Sequence, residues 1–285
     1  MSAARLDPRT RVGSVHLRVR EPDVAAAFYR ERLGLVDRSG DAATVRLGTA
    51  DAELLVLHGD PAAVPAPGTT GLYHFAILVP SRADLARSLA RLAETRTPLQ
   101  GASDHGVSEA LYLVDPERNG IEIYRDREVS EWPRTSAGLA MKTDPLDLDA
   151  LVLERGDPAL PVMPAGTRIG HVHLHVSELP RAERFYCDVL GFDLMQRLGH
   201  SAAFVSAGGY HHHVGLNTWA GDGAPPPPSG AAGLAHFELR VSDEAAVAVA
   251  RARLGAAKVA TETIGAGIAF WDPFGHRVEL LTEPR

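Results

Sequence analysis

Apolar and polar residues alternate in short stretches that recur four times along the chain. The four stretches begin near Val12, Gly71, Ile169 and Gly233, and period-two alternation is typical of half-buried strands. Each stretch is followed by apolar residues at helical spacing and then by short strand-like stretches with turn residues between them. The pattern therefore predicts an α+β fold of four modules with β-α-β-β-β order. Because each strand face needs a partner surface, we expect the modules to pair side by side into curved sheets.

The first and third modules repeat each other without a gap. Residues 12–35 align with residues 169–192 at an offset of 157, and the same offset relates the Asp-Pro motifs near the ends of the second and fourth modules. Matched positions include His16 with His173, Asp115 with Asp272, and Glu122 with Glu279. Self-similarity of this kind indicates an internal duplication. The predicted organisation is an N-terminal half at 1–126, a linker at 127–167 with one short helix, and a C-terminal half at 168–285.

Composition narrows the class of protein. The 285 residues are 45% hydrophobic and 23% charged, with a formal net charge of -7. This composition is typical of a globular protein that is long enough to form hydrophobic cores. The chain has no block of basic residues and no apolar window of the ~18–20 residues that a membrane span needs. The single cysteine, Cys187, cannot form an internal disulfide. We expect a cytoplasmic protein that acts on a small molecule rather than on nucleic acid or a membrane; whether it forms a homo-oligomer stays open.

Candidate metal ligands occupy equivalent positions of the modules. The first strands carry Ser14, His74, His171 and His236 at one shared position, and the last strands of modules 2 and 4 carry Glu122 and Glu279. Two imidazoles and one carboxylate on a face leave coordination positions open, which suits a non-haem Fe(II) ion that must bind substrate and O2. Glu122 stands between two isoleucines, and an inward-facing carboxylate there is costly unless it is paired or metal-bound.

The stretch GHVHLHVSELPRAERFYCDVLGF at 170–192 and the Asp-Pro endings resemble the vicinal oxygen chelate superfamily. Over residues 11–126 and 168–283 the chain is similar, more narrowly, to two-domain extradiol ring-cleaving dioxygenases of the catechol 2,3-dioxygenase kind. The resemblance implies paired βαβββ modules that form two half-open, barrel-like domains, each curled around one metal. It also implies an Fe(II) cofactor, a catechol-type substrate and O2, with Mn(II) or Zn(II) as alternative ions.

Carried over residue by residue, the extradiol pattern is divided between the two halves of the chain. Module 3 supplies the first-strand His171 and a run of histidines at 211–213, in which His213 takes the acid/base position. If this run is a strand, His211 and His213 face one way and His212 the other.

Module 2 supplies the complementary set of the extradiol pattern. The resemblance makes His74 and Glu122 metal ligands and makes Tyr112 and His105 catalytic residues. Module 4 has Ala269 where the family has this tyrosine.

We therefore predict that module 2 pairs with module 3, and module 1 with module 4. This pairing brings His74, Glu122 and His171 around one ion, with His213, Tyr112 and His105 as catalytic residues, and leaves modules 1 and 4 as an incomplete scaffold site. His16 and His173 are then core or supporting histidines.

Other interpretations remain open at the level of sequence. Pairing of modules 3 and 4 would instead give the metal set His171, His236 and Glu279. A glyoxalase-like isomerase or thiol-transfer enzyme using Zn, Ni or Mn, or a non-catalytic protein that binds an aromatic compound or drug, would share the fold. The particular catechol cannot be deduced, because substrate-facing apolar residues resemble core ones.

Overall fold

The computed structural model describes residues 5–38, 44–136, 138–156 and 162–283. Within them, four βαβββ modules follow one another in the predicted order. Module 1 comprises β1 (Arg11–Val19), α1 (Pro22–Phe28), β2 (Val36–Asp37), β3 (Thr44–Gly48) and β4 (Glu53–Gly59). Module 2 comprises β5 (Gly71–Leu78), α2 (Arg82–Glu94), β6 (Gly101–Asp104), β7 (Ser108–Val114) and β8 (Gly120–Asp126).

The second half repeats this order after a connecting segment. The segment holds a 3₁₀ turn (Val129–Glu131), β9 (Arg134–Thr135), β10 (Gly138–Leu139), β11 (Asp144–Pro145) and α3 (Leu148–Leu153). Module 3 comprises β12 (Arg168–His175), α4 (Leu179–Glu183), β13 (Asp193–Leu198), β14 (Ala202–Ser206) and β15 (Val214–Asn217). Module 4 comprises β16 (Gly233–Val241), α5 (Glu244–Ala256), β17 (Thr261–Ile264), β18 (Gly267–Trp271) and β19 (Arg277–Thr282).

The modules pair across the halves of the chain. One sheet has the strand order β11-β6-β7-β8-β5-β12-β15-β14-β13 and joins module 2 to module 3. The other has the order β17-β18-β19-β16-β1-β4-β3-β2 and joins module 1 to module 4. At the centre of each sheet two first strands run antiparallel, β5 with β12 and β1 with β16. The predicted pairing of modules 2 with 3 and 1 with 4 is therefore confirmed. The predicted α+β fold of two curved, half-barrel sheets is also confirmed.

Within each half of the chain, a hydrogen bond that the repeat conserves joins the two modules. The buried Tyr29 hydroxyl donates to Asp115 Oδ2 at 2.8 Å, and Tyr186, which is its repeat, donates to Asp272 Oδ2 at 2.9 Å. Burial, and then the adjacent carboxylate, raises the pKa of both phenols well above the usual value. The repeated Phe-Tyr and Asp-Pro motifs thus bridge one sheet to the other, while strand pairing links modules that are distant in sequence.

Local sequence explains where the helices begin and end. Ser81 and Asp243 cap α2 and α5 by accepting hydrogen bonds from the backbone N–H groups of Asp84 and Ala246. The helical segments after α1 and α4 end at glycines in the left-handed region, Gly34 with φ 78° and Gly191 with φ 100°. The Leu-Gly pair of the repeat is therefore a helix stop.

The connecting segment contributes secondary structure to the fold. It contains the expected short helix, and its strand β11 also extends the edge of the nine-stranded sheet next to β6. Ala137 and residues 157–161 of the predicted linker lie outside the described residues. The proposed domain boundaries stay a prediction, since both sheets draw strands from both halves. Among the described helices, none has the length and apolar character that a membrane span requires.

Candidate metal centre

The predicted metal ligands meet on one face of three adjacent strands. The central strand β5 lies parallel to β8 and antiparallel to β12, and Ala76 is opposite both Glu122 and His171. Residues opposite each other share a face, so Glu122 and His171 flank the small methyl group of Ala76. His74 lies two residues along β5 and so projects to the same side. The structure therefore brings together residues from both halves of the chain.

The three side chains are buried and in mutual contact. His74 Nε2 lies 3.4 Å from His171 Nε2. The Oε2 atom of Glu122 lies 3.0 Å from His74 Nε2 and 3.1 Å from His171 Nε2. Their ligand atoms all lie within 4.8 Å of one another. One carboxylate oxygen and two ring nitrogens thus converge on one small region.

Burial sets the charge states of this group. The pKa of His171 is lowered to about 4, because its desolvation outweighs the attraction of Glu122. Burial alone would raise the pKa of Glu122, but the two histidines hold it well below its usual range. Neutral imidazole and ionised carboxylate are the forms that coordinate metal ions. The donor set fits a divalent cation, so a metal cofactor is supported at this site.

The centre opens into a cavity of about 340 Å³, within the range of small-molecule sites. Aromatic side chains form part of its wall: Tyr73, Phe204 and Trp219 line it together with the ring of His173. The Nε2 atom of His173 is buried with no hydrogen-bond partner among the described residues. The expected supporting histidine thus lines the cavity as well as the core. The three aromatic residues were missed, because wall and core positions have the same sequence pattern.

Tyr112 and His105 also line the cavity, as the predicted site requires. Tyr112 is directly opposite Glu122 on the neighbouring strand β7, and its hydroxyl lies 2.7 Å from His105 Nε2. The other ring nitrogen of His105 donates to the carbonyl of Lys142 at 2.7 Å, which makes Nε2 the acceptor for the tyrosine. Burial and then the charge of Glu122 raise the pKa of Tyr112 well above the usual value. Tyr112 is therefore a protonated donor, held by a residue that the connecting segment orients.

The three histidines at 211–213 do not form the expected strand. The strand β15 begins only at Val214, after Gly208 and Gly209, both of which have positive φ. A Cβ atom at Gly208 would lie 2.0 Å from the Pro8 carbonyl oxygen, so the chain needs glycine there. The backbone of this run is therefore irregular, and the expectation of a strand there is not met.

His213, the predicted acid/base residue, lies apart from the metal-centre cavity. Its ring lines a different cavity, beside Arg168 and Tyr210, and its Nδ1 atom accepts from the hydroxyl of Ser206 at 2.9 Å. The structure does not bring His213 together with the other candidate residues. His212 lines the metal-centre cavity instead, with its ring centroid 4.0 Å from that of His171.

A short chain of polar contacts supports His212. His212 Nδ1 lies 2.7 Å from His211 Nδ1, and His211 Nε2 lies 2.9 Å from Asp126 Oδ1. Since Asp126 can accept from His211 Nε2–H, His211 Nδ1 can accept in turn from His212. This arrangement leaves His212 Nε2 as an acceptor. Burial and the neighbouring histidines lower the pKa of His212 well below its usual value.

Known proteins resemble the chain in sequence and in fold. A catechol-2,3-dioxygenase from Bacillus subtilis (strain 168) is 46% identical over 241 residues, covering 81% of this chain and 82% of the relative. A crystal structure of a dioxygenase candidate from Bacillus subtilis subsp. subtilis str. 168 has a TM-score of 0.65 at 16% identity, covering 99% of this chain and 87% of that one. Glyoxalase I from Zea mays has a TM-score of 0.57 at 14% identity, covering 95% and 92%. The two structures show the fold, and the sequence relative confirms the prediction of a dioxygenase-like oxidoreductase.

The family model described as Glyoxalase/Bleomycin resistance protein/Dioxygenase superfamily matches residues 11–123 and 168–280. These two ranges contain all three ligands of the candidate metal centre. The resemblance drawn from the repeated motifs is thereby confirmed. The chain belongs to the Glyoxalase/Bleomycin resistance protein/Dioxygenase superfamily.

Proposed function

We propose that the protein is an Fe(II)-dependent extradiol dioxygenase that cleaves the ring of a catechol-type aromatic. The observation that carries this proposal is the convergence of His74, Glu122 and His171 at the wall of a partly aromatic cavity. An Fe(II) ion held there would supply the redox chemistry that joins the substrate to O2. A set of two imidazoles and one carboxylate is the ligand pattern of non-haem Fe(II) oxygenases.

The cavity wall can hold and orient a planar ring. Tyr73, Phe204 and Trp219 offer apolar faces, which favour an aromatic substrate by burial and ring packing. The unpartnered Nε2 atom of His173 adds a hydrogen-bonding group beside these aromatic side chains. Substrate positioning would therefore depend on residues of both halves of the chain.

Two groups in the cavity are suited to proton transfer and hydrogen bonding. His212, with Nδ1 engaged by His211, can accept a phenolic proton of the substrate at Nε2 and later return it. Tyr112 donates its single hydroxyl proton to His105 Nε2, so its oxygen can accept a hydrogen bond from a substrate hydroxyl. His105 fixes the direction of the Tyr112 hydroxyl. We assign the acid/base role to His212 in place of His213.

Anaerobic reconstitution tests the proposal. The protein is stripped of metal with a chelator and loaded without oxygen with Fe(II), and in parallel with Mn(II) or Zn(II). Catechol and oxygenated buffer are then added. We expect the Fe(II) form to give a yellow ring-fission product with one O2 consumed per product. His200→Ala, a change of an exposed histidine outside the cavity, serves as a control and should behave like the unaltered protein.

Two results would contradict the proposal. Turnover of a hemithioacetal without oxygen would indicate a glyoxalase-like isomerase, and aromatic binding that persists after complete metal removal would indicate a binding protein. The cytoplasmic location and the role in aromatic degradation stay predictions at this point.

A further inference from the structure

A second group of potential metal ligands lies in the sheet formed by modules 1 and 4. It consists of His16, His58 and His236, whose ligand atoms all lie within 4.8 Å of one another. The sequence marked His16 as a core histidine and did not single out His58. Neither residue belongs to the metal centre described above.

The strands of this sheet create the group. The central strand β1 is antiparallel to β16, where His236 is opposite His16, and parallel to β4, where His58 is opposite Arg18. The rings of His16 and His236 stack at a centroid distance of 3.7 Å. His16 Nδ1 lies 3.0 Å from His58 Nε2, close to the ~3.3 Å separation of two nitrogens bound to one tetrahedral zinc ion.

This group does not copy the first centre. The residue equivalent to His171 is Ser14, and the ligand of β1 stands two residues further along, at His16. The third histidine comes from β4, whose counterpart β15 carries no ligand of the first centre. Duplication alone would therefore not have produced the three-histidine group.

The surroundings of His16 favour a ring with its Nδ1 lone pair available. Its Nε2 atom lies 3.1 Å from the Ser14 hydroxyl and 3.8 Å from Glu238 Oε1. Glu238 is held in place by Arg240 at 2.7 Å. A carboxylate beside the outer nitrogen of a metal-binding histidine orients the ring and raises its basicity. Ser14 Oγ can accept a hydrogen bond from His16 Nε2–H, and in that tautomer the Nδ1 lone pair faces His58.

The remaining two histidines suit ion binding from solvent. His58 and His236 are half-buried, so an ion can reach the group. Burial, followed by the nearby His16 and His58, lowers the pKa of His236 to about 3, and the ring is neutral near pH 7. Glu279 Oε2, 3.8 Å from His236 Nε2, is a nearby outer partner.

We propose that His16, His58 and His236 form a second metal site, one that takes Zn(II). An all-imidazole set is softer than the carboxylate-containing first centre and suits zinc, with a fourth position open to water. Because its ligands come from β1, β4 and β16, the ion would join the first module to the last. It would act as a cross-link between the two ends of the folded chain, separate from the dioxygenase site.

Zinc stoichiometry tests this site directly. Metal-free protein is incubated with Zn(II) and separated from free ion, and the bound zinc is measured by elemental analysis. We expect two equivalents in the unaltered protein and in the surface control His200→Ala. His58→Ala, His236→Ala and His171→Ala should each bind one equivalent, and His58→Ala combined with His171→Ala none.

A stability measurement distinguishes the loss of a zinc site from misfolding of the variant. In His171→Ala, which lacks the first centre, Zn(II) should raise the thermal unfolding midpoint, because a ligand that binds only the folded state stabilises it. The additional change His58→Gln should remove this rise without lowering the midpoint of the metal-free protein to a similar extent. The inference is overturned if the unaltered protein binds one equivalent that His171→Ala abolishes, or if His58→Ala and His236→Ala leave the zinc content unchanged. A protein without dioxygenase activity that still binds zinc at these histidines would refute the proposed function alone.

Discussion

The two sheets are built from the same repeated module, yet their centres differ in how one glutamate is neutralised. Glu122 has a side chain only 3% exposed, and its ion-pair partners are His74 and His171. Its repeat, Glu279, is 17% exposed and pairs with Arg277 at 3.3 Å. A buried carboxylate between two imidazoles has a counter-charge only when an imidazole is protonated or an ion is bound, whereas a carboxylate beside arginine always has one. Duplication thus preserved the backbone positions, and the neighbouring side chains distinguish the copy that contains the candidate carboxylate-containing metal centre from the other copy.

The largest expected effect comes from removing the charge at these two glutamates. Glu122→Gln should lower the affinity for the metal by more than the ~10–100-fold that loss of an outer-shell partner costs, and should abolish activity. Glu279→Gln should have a much smaller effect on metal content, because Arg277 already neutralises this carboxylate. Elemental analysis and isothermal titration with Fe(II) or Mn(II) under anaerobic conditions would measure both. Equal losses from the two variants would show that the contrast between the sheets is wrong.

The next effect separates the histidines at 212 and 213. His212→Gln should reduce kcat by ~10²–10⁴-fold, the usual contribution of a general acid/base, while the metal stays bound. His213→Gln should cost far less, since its ring lines the neighbouring cavity beside Tyr210. Steady-state kinetics with paired metal analysis would test this. If His213→Gln reduces kcat more than His212→Gln does, the segment 211–213 must change conformation when substrate binds, and the sequence-based choice of His213 was sound.

Sequence was informative where one residue at a strand position decides the geometry. The first-strand histidines and the glutamate of the Asp-Pro ending could be matched by offset alone, and the incomplete set in each half pointed to the pairing of module 2 with module 3. The pairing follows because only it unites His74 and Glu122 with His171.

Sequence failed where the backbone departs from regular alternation or where distant segments meet. Two glycines with positive φ, Gly208 and Gly209, precede the histidine run, which is not a strand. The Gly-Gly pair was the sign of this irregular backbone that the sequence offered. His58 comes directly after the apolar residues of β4. The sequence pattern of that stretch indicated core and did not identify His58 as a candidate ligand. The Lys142 carbonyl that orients His105 is a backbone group, which carries no side-chain signal in the sequence.

A third prediction concerns the pH dependence of the metal-free protein. In the unfolded chain histidine has a pKa near 6.5, so it takes up a proton as the pH falls below this value, whereas folded His171 resists protonation until about pH 4. The unfolded state then binds more protons, and the free energy of unfolding should fall by on the order of 3 kcal/mol between pH 6.5 and 4 through this residue. Denaturant titrations at several pH values would measure it.

The matched variants for this pH effect are His171→Asn and His200→Ala. The first removes the buried ring and should reduce the slope of stability against pH by the share of His171, while buried histidines such as His212 and His236 keep theirs. The second removes an exposed histidine and should leave the slope unchanged. If His171→Asn keeps the full slope, the acid sensitivity originates elsewhere, for example at His236, whose pKa is lowered to about 3 in the other sheet.

The smallest effect concerns the tyrosines that bridge the two sheets. Tyr29→Phe removes the donor to the buried Asp115 and should cost ~1–3 kcal/mol in the free energy of unfolding. Tyr186→Phe should cost a similar amount, because each carboxylate keeps one further side-chain donor at the same oxygen. Asn119 Nδ2 lies 2.8 Å from Asp115 Oδ2, and His276 Nδ1 lies 2.7 Å from Asp272 Oδ2. Chemical denaturation of both variants would give the two values. Clearly unequal losses would show that the amide of Asn119 and the ring of His276 do not substitute equally for the lost hydroxyl, and that the two copies diverged in how strongly they rely on the tyrosine that joins the sheets.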